Sequence, residues 1–322
     1  MLAAYAAAQS ADDPLSGLVV GEIPLPSAPE GWIRVRITTA ALNHHDVWSL
    51  RGVGLPADRL PMILGCDAAG MLDDGTEVLV YPVIASPDWF GDETMDPNRS
   101  LLSEIHPGTL AEEVWVPARN VVPKPAALSF EHATCLPSAW LTAYRMLLTN
   151  SGVQPGGTIL VQGAGGGVAT ALIQLGAAMG YQVFVTSRDE EKARRAEQLG
   201  ACWTGGDGER LPRRVDAVME TVGAATWSHS VKSLNPGGTI VISGATSGDA
   251  PAKAELTRIL FKQLRVIGST MGTRDELQRL THLVTDLGIT PQIDRIMPLA
   301  EAADGFAAML QGDVVGKIVF TV

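Results

Sequence analysis

The segment from Thr158 to Gly180, TILVQGAGGGVATALIQLGAAMG, constrains the fold of this chain more than any other. A short apolar β-run, Thr158 to Val161, enters the glycine cluster Gly163-Ala164-Gly165-Gly166-Gly167. The cluster opens into a helix-period stretch whose apolar residues are Val168, Leu172, Ile173, Leu175 and Met179. Strand, glycine turn and helix in this order form the setting in which a glycine loop binds a dinucleotide. Small residues admit a pyrophosphate to the backbone, and the helix N-terminus offers unpaired N–H groups and the positive end of its dipole. The alternative is a plain flexible turn between strand and helix.

The next strand, Gln182 to Val185, ends in Thr186-Ser187-Arg188, and a helix follows from about Asp189 to Leu199, closed by Gly200. An acidic residue at this tip would hold the ribose hydroxyl of NAD, whereas arginine accommodates a 2′-phosphate. No carboxylate precedes Asp189; Ser187, Arg188 and Lys192 supply a hydroxyl and two cations, which predicts NADPH. Ser187-x-x-Glu190 also reads as a capping box, in which case these groups only start a helix.

Downstream, strand-like runs at 201–204, 215–219, 238–243 and 266–269 alternate for the most part with helical patterns, and a last helix is expected over 275–287. This predicts an α/β Rossmann fold, a doubly wound parallel sheet whose strand carboxyl ends line the cofactor crevice. Gly163, Ser187, Glu220-Thr221-Val222-Gly223, Ser243-Gly244 and Ser269-Thr270 fall at those ends. The first 120 or so residues differ: short strands near 18–20, 33–37, 77–80 and 113–116 are separated by Pro24, Pro26, Pro29, Pro56, Pro61, Pro82 and Pro87, which suits a β-rich barrel. The divisions are placed at 1–122, 123–288 and 289–322, the last a return segment packing on the first.

With 34 glycines, 20 prolines and 46% hydrophobic residues, the 322-residue chain has the composition of a compact enzyme. A net charge of −11 argues against nucleic acid or an anionic membrane as partner. Cys66, Cys135 and Cys202 form no CxxC pair, and no basic, apolar leader or span of roughly 18 apolar residues is visible, so a reducing cytoplasm is expected.

The order of motifs resembles the medium-chain dehydrogenase/reductase superfamily, which holds zinc alcohol dehydrogenases and zinc-free quinone and enone reductases. The resemblance rests on Ala41-Leu42-Asn43-His44-His45-Asp46, Pro61 to Gly70, Leu136-Pro137-Ser138-Ala139-Trp140-Leu141-Thr142-Ala143-Tyr144, the glycine loop, Glu220 to Gly223, Asn235-Pro236-Gly237-Gly238 and Gly316-Lys317. It implies a GroES-like barrel beside the Rossmann sheet, cofactor contacts from Thr142 and Lys317, and a homodimer paired through the strand after Val266. Zinc-bearing relatives place ligands where this chain has Asn43, Cys66-Asp67 and Ser138, and Ser86 to Glu104 has none of the cysteines of their structural lobe. Amide and hydroxyl are poor zinc ligands, so no metal is expected, and the resemblance implies metal-free reduction of a quinone or α,β-unsaturated carbonyl by NADPH. Asn43 is then the polar anchor near the nicotinamide, with His44, His45, Asp46 and Ser138 as candidate proton or hydrogen-bond donors. Trp48, Trp89 and Phe90 are candidate walls of an apolar slot. The alternatives are a metal site built from Cys66, Asp67 and His44 or His45 in a residual alcohol dehydrogenase, or a non-catalytic NADPH sensor or RNA binder.

Overall fold

The computed structural model describes residues 1–24 and 27–322, so Pro26 lies outside the described residues. The chain divides into two compact units, Met1–Leu141 with Gly272–Val322, and Thr142–Met271. The divisions therefore fall at 141/142 and 271/272 rather than at 122/123 and 288/289. The expected helix near 275–287 spans Arg274–Asp286 and belongs to the first unit. Thr273 caps it, accepting the N–H of Glu276, while Glu276 accepts the N–H of Thr273, a reciprocal arrangement that fixes where the helix begins.

The second unit carries a six-stranded sheet in the order Trp203–Gly205, Gln182–Thr186, Thr158–Gln162, Val215–Glu220, Leu234–Ile242, Arg265–Gly268. Every pairing in it is parallel. Numbered along the chain the order is 3-2-1-4-5-6, the doubly wound arrangement with its switch point beside the first strand. Thr158–Gln162 is buried at every position, as a strand covered on both faces must be, which is why its centre, Ile159 to Val161, is apolar on both faces. Helix Gly167–Ala178 follows directly. The stretch between Gly205 and Val215 is turn and coil, so that crossover lacks a helix.

The first unit is built on Trp32–Ala41, a ten-residue strand that pairs antiparallel with Glu113–Pro117, Asp67–Met71 and Lys317–Thr321. Ala41 is opposite Asp67 on one side and Val319 on the other. That register brings Asn43, Asp67 and Lys317 to one place from three distant stretches of chain. The core around this sheet includes Leu42, Val47, Leu50, Leu64, Leu102, Phe306 and Phe320, all nearly inaccessible to solvent. Among the described residues no helix is long and apolar enough to cross a membrane.

Candidate active site

In the second unit, Gly163 follows its strand with φ +85°, a conformation that favours glycine. Helix Gly167–Ala178 starts from Gly166 without any side-chain cap, and a Cβ built on Gly166 would meet nothing within 4 Å. First-turn N–H groups and open space together suit a phosphate, so the loop Gly163 to Val168 fits a dinucleotide. Thr221, Val222, Ser243 and Gly244 lie partly exposed just beyond their strands.

Glu220 departs from the expected pattern. Its carboxylate is fully buried and accepts the N–H groups of Val222 (2.9 Å) and Gly223 (3.0 Å) and the hydroxyls of Thr226 (2.8 Å) and Ser230 (2.6 Å). It therefore braces the 221–223 turn from behind and does not face a ligand. Ser269 is buried and its hydroxyl accepts from Asn150 at 2.9 Å, whereas Thr270 is exposed. Thr142 is buried, with its hydroxyl 4.0 Å from the sulfur of Met271.

At the strand tip, the hydroxyl of Ser187 closes a local turn, donating to the Asp189 carbonyl and accepting the Asp189 N–H. The cap of helix Glu190–Gln198 is Asp189, which accepts the N–H groups of Glu191 and Lys192, so the capping-box reading of Ser187 and Glu190 does not hold. Arg188 projects into solvent, its side chain 88% exposed, with Asp207 at 3.7 Å.

In the first unit, Lys317 is buried, and its ammonium donates to the Leu42 carbonyl (2.8 Å), Asn43 Oδ1 (2.6 Å) and Asp67 Oδ2 (2.8 Å). An ammonium has three donors, and here all are committed. Lys317 thus has none left for a cofactor, contrary to what the resemblance implies. The amide of Asn43 is held at both ends, since its Nδ2 donates to Asp67 Oδ2 at 2.9 Å. Asp67 Oδ1 is buried without a hydrogen-bond partner, as is the hydroxyl of Ser138. Ser138 lies on a π-helical turn, Leu136–Trp140, whose hydrogen-bond pattern is uncommon and recurs at functional sites.

Two of the positions aligned with zinc ligands, Asn43 and Asp67, are therefore bonded to one another and to the buried ammonium of Lys317. A cation placed there would face the Lys317 ammonium, and the donor set does not fit zinc.

Asp46 is fully buried and accepts the N–H of Asn43 (2.9 Å) and of Gly65 (2.8 Å). It secures the start of helix His44–Leu50, and the role of proton donor is withdrawn for it. Burial raises its carboxyl above the usual range despite His45 and these N–H groups. Solvent reaches His44. Its imidazole is nevertheless pushed below the usual range by local desolvation, then by Lys317 and Arg51.

His45 instead turns to Cys66, with Nδ1 3.4 Å from Sγ and Nε2 3.1 Å from Glu104. Ser103 and Glu104 in this cluster were not singled out by sequence; they lie 58 and 59 residues away from His45 along the chain.

The cysteine-free lobe is tied by Asp96, whose carboxylate accepts the N–H groups of Ser86 (2.6 Å) and Asn98 (2.8 Å). Arg119 adds bonds to the Ala85, Ser86 and Pro87 carbonyls. Phe90 is 92% exposed and lines no slot, Trp89 donates to the Asp92 carbonyl, and Trp48 lies under the Arg51 guanidinium.

Thiol chemistry follows from burial. Cys135 is fully buried and its thiol is pushed up to about 12, burial outweighing the nearby Lys317. Burial also raises Cys66, against the opposing pull of His45. Cys202 is exposed. Since the thiolate is the reactive form, one thiol per native chain is expected to react rapidly with an aromatic disulfide reagent at pH 8. Cys202→Ser should abolish that fast phase; a second fast thiol would contradict the burial of the other two.

Comparison with known proteins agrees with this architecture. The alcohol dehydrogenase GroES-like domain family matches residues 29–126, and the zinc-binding dehydrogenase family matches residues 167–286. An acryloyl-coenzyme A reductase of Sulfurisphaera tokodaii is 28% identical over 323 residues, 95% of this chain and 96% of that protein. A zinc-type alcohol dehydrogenase-like protein, YogA, of Leptosphaeria maculans is 30% identical over 340 residues, covering 93% and 92%. Among solved structures, an NAD-dependent alcohol dehydrogenase superposes with a TM-score of 0.93 at 33% identity over the whole of both chains. With the two domain families in this order and relatives matched over nearly their full length, the chain belongs to the medium-chain dehydrogenase/reductase superfamily of oxidoreductases.

Proposed function

We propose that this oxidoreductase uses NADPH to reduce a quinone or the polarised C=C bond of an α,β-unsaturated carbonyl compound, without a metal at the Asn43 position. The observation that carries this reading is the Lys317 ammonium bonded to both Asn43 and Asp67. Oxidation of an unactivated alcohol relies on a Lewis acid to lower the charge on oxygen, and a set of donors already holding an ammonium is unsuited to bind one. Reduction of an enone demands less: hydride goes to the β-carbon, a proton to the α-carbon, and the nicotinamide is oxidised. The similarity to an acryloyl-coenzyme A reductase supports the inclusion of enoyl thioesters in the substrate class. An alcohol dehydrogenase is the second reading, favoured by the likeness to proteins of that name.

When bound, the cofactor supplies hydride; the chain supplies placement and the proton. The loop Gly163 to Val168 holds the pyrophosphate, Arg188 with Ser187 and Lys192 faces the 2′-phosphate, and Glu220 keeps the 221–223 turn in position. The buried, unpaired hydroxyl of Ser138 is available to a substrate carbonyl. A panel of quinones, enones, enoyl thioesters and aldehydes, each with NADPH, tests the reading. Turnover on the first three classes supports it. NADPH binding without turnover on any of them would identify a sensor and overturn it.

His44 is the proposed proton donor, because it is solvent-accessible and titrates below the usual histidine range. Only its protonated form donates, and that form is lost as pH rises through this lowered value. The rate kcat/KM is therefore expected to fall with rising pH from a point below the ordinary histidine value of 6.5, and His44→Asn to flatten that limb. A limb unchanged in the variant would exclude His44.

We further propose a homodimer. The strand Arg265–Gly268 ends the sheet, and the helix before it, Leu256–Lys262, exposes Leu256 (72%), Leu260 (70%) and Phe261 (79%). A free sheet edge beside an uncovered apolar face favours pairing. Light scattering should give twice 34.0 kDa, and Phe261→Glu should shift the protein toward monomer; a monomeric parent protein would refute this.

A further inference from the structure

We propose that Gln162 is a positioning residue for the cofactor, a buried amide tying the glycine loop to the turns on either side of it, and that protonation of its partner His229 loosens the tie and weakens dinucleotide binding. The proposal rests on the dinucleotide reading of the loop Gly163 to Val168. Three adjacent strands end together: Gln162 closes one just before Gly163, Thr186 the next just before Ser187, and Glu220 the third just before the 221–223 turn. Gln162 and Thr186 are opposite one another in register. The Thr186 hydroxyl donates to Gln162 Oε1 at 2.5 Å, and Gln162 Nε2 donates to Ser230 Oγ at 2.9 Å and to His229 Nδ1 at 3.0 Å. Ser230 in turn donates to Glu220 Oε2 at 2.6 Å. Gln162, Thr186, Ser230 and Glu220 are all completely buried. One amide thus joins the backs of three turns.

The neighbours dictate which way round this amide sits. The Ser230 hydroxyl commits its only proton to Glu220, so towards Gln162 it can only accept, and the N–H side of the amide must meet it. The second amide proton then requires a lone pair on His229 Nδ1. That makes the imidazole the neutral tautomer with its proton on Nε2, which donates to the Glu209 carbonyl at 2.9 Å. The loop holding Glu209 also accepts the Ser187 N–H at the Gly205 carbonyl (2.9 Å) and carries Asp207, the neighbour of Arg188. A protonated His229 has no lone pair to offer. Its Nδ1–H would oppose the Gln162 N–H, and turning the amide over would set Oε1 against the Ser230 oxygen. Either way a buried polar group adjoining Gly163 loses its partner.

The charged groups around the helix Trp227–Ser233, which carries His229, are engaged elsewhere. On the strand beneath it, Glu220 is bonded to Ser230 and Thr226, and Asp216 to the Thr158 N–H and Asn235. The Glu209 carboxylate accepts the Gly206 N–H. From the helix Leu256–Lys262, Arg258 pairs with Glu255, which also accepts from Ser228, and Lys262 donates to the Lys232 and Leu234 carbonyls. Lys232 and Arg210 are exposed cations. Among the described residues no carboxylate bonds the imidazole to favour its charged form, and its partial exposure gives protons access.

NADH is the probe, because it lacks the 2′-phosphate, a group that titrates in the same range as histidine. Its affinity for the full-length protein is measured by fluorescence titration at about pH 8 and about pH 5.5, the span over which histidine changes charge. The parent protein is expected to bind about five- to ten-fold more weakly at the lower pH, the size of one internal hydrogen bond. His229→Gln, which offers an amide oxygen to Gln162 at every pH, should bind alike at both. Gln162→Leu should bind about ten-fold more weakly than the parent at the higher pH and show no pH dependence. The His229→Gln arm decides the matter should Gln162→Leu fail to fold. A parent affinity that does not change with pH, a change that survives in His229→Gln, or full affinity in Gln162→Leu would overturn the proposal and leave the dinucleotide reading standing. Absence of binding by both NADH and NADPH would overturn that reading, and the proposal with it.

Discussion

NADPH is expected to bind at least about ten-fold more tightly than NADH, and Arg188→Ala to remove most of that preference while leaving NADH binding nearly unchanged. A hydrogen bond to a charged group is worth about 1.5–3 kcal/mol, so one such bond to the 2′-phosphate accounts for a ten-fold difference. The guanidinium is 88% exposed and its pairing with Asp207, at 3.7 Å, is loose. An exposed pair of this kind contributes about 0–1 kcal/mol, too little to hold Arg188 away from a phosphate. Fluorescence titration with both cofactors checks the expectation. Equal affinities in the parent protein would show that the tip does not read the 2′-phosphate, whatever Arg188→Ala then did.

The second large effect concerns stability. Lys317 and Asp67 form a buried ion pair at 2.8 Å, their side chains 3% and 0% exposed. Removing one partner leaves a charge in the interior with no counter-charge, at a cost of about 3–5 kcal/mol. Lys317→Met should therefore lower the urea midpoint severely, and Asp67→Asn combined with Lys317→Met should recover much of the loss, because no buried charge remains. Should Lys317→Met cost under about 1 kcal/mol, the network would not be the anchor described here.

These two sites differ in how far they were legible in sequence. The cofactor loop and its tip are local: strand, glycine cluster and helix are consecutive, and each residue type reports its own backbone need. The doubly wound parallel sheet was legible for the same reason, although the helices and strands began or ended a residue or several from their expected bounds and the order of the strands came only with the structure. The Lys317 network was not legible, because Lys317 and Asp67 are 250 positions apart and meet only through the register of the Trp32–Ala41 strand. The motif pointed to Lys317 as a cofactor contact, and only the burial of its ammonium shows where its donors go. Asp46 was misread for a related reason. Its place three residues after Asn43 is a capping position, yet its neighbours in the motif suggested proton chemistry. Ser103 and Glu104 carried no signal at all, since a serine and a glutamate in a polar loop are ordinary surface residues until the fold brings them beside Cys66.

The central claim is that hydride passes to carbon with no metal at the Asn43 position, and isotope transfer tests it most directly. Chelator-treated protein is given NADPH deuterated at the transferable C4 position together with an enone or an enoyl thioester, and the product is examined by mass spectrometry and NMR. Deuterium at the β-carbon, at a rate unchanged by the chelator, is the expected result. Failure of every such acceptor, with alcohol oxidation that appears only when zinc is restored, would contradict the account and establish the dehydrogenase reading.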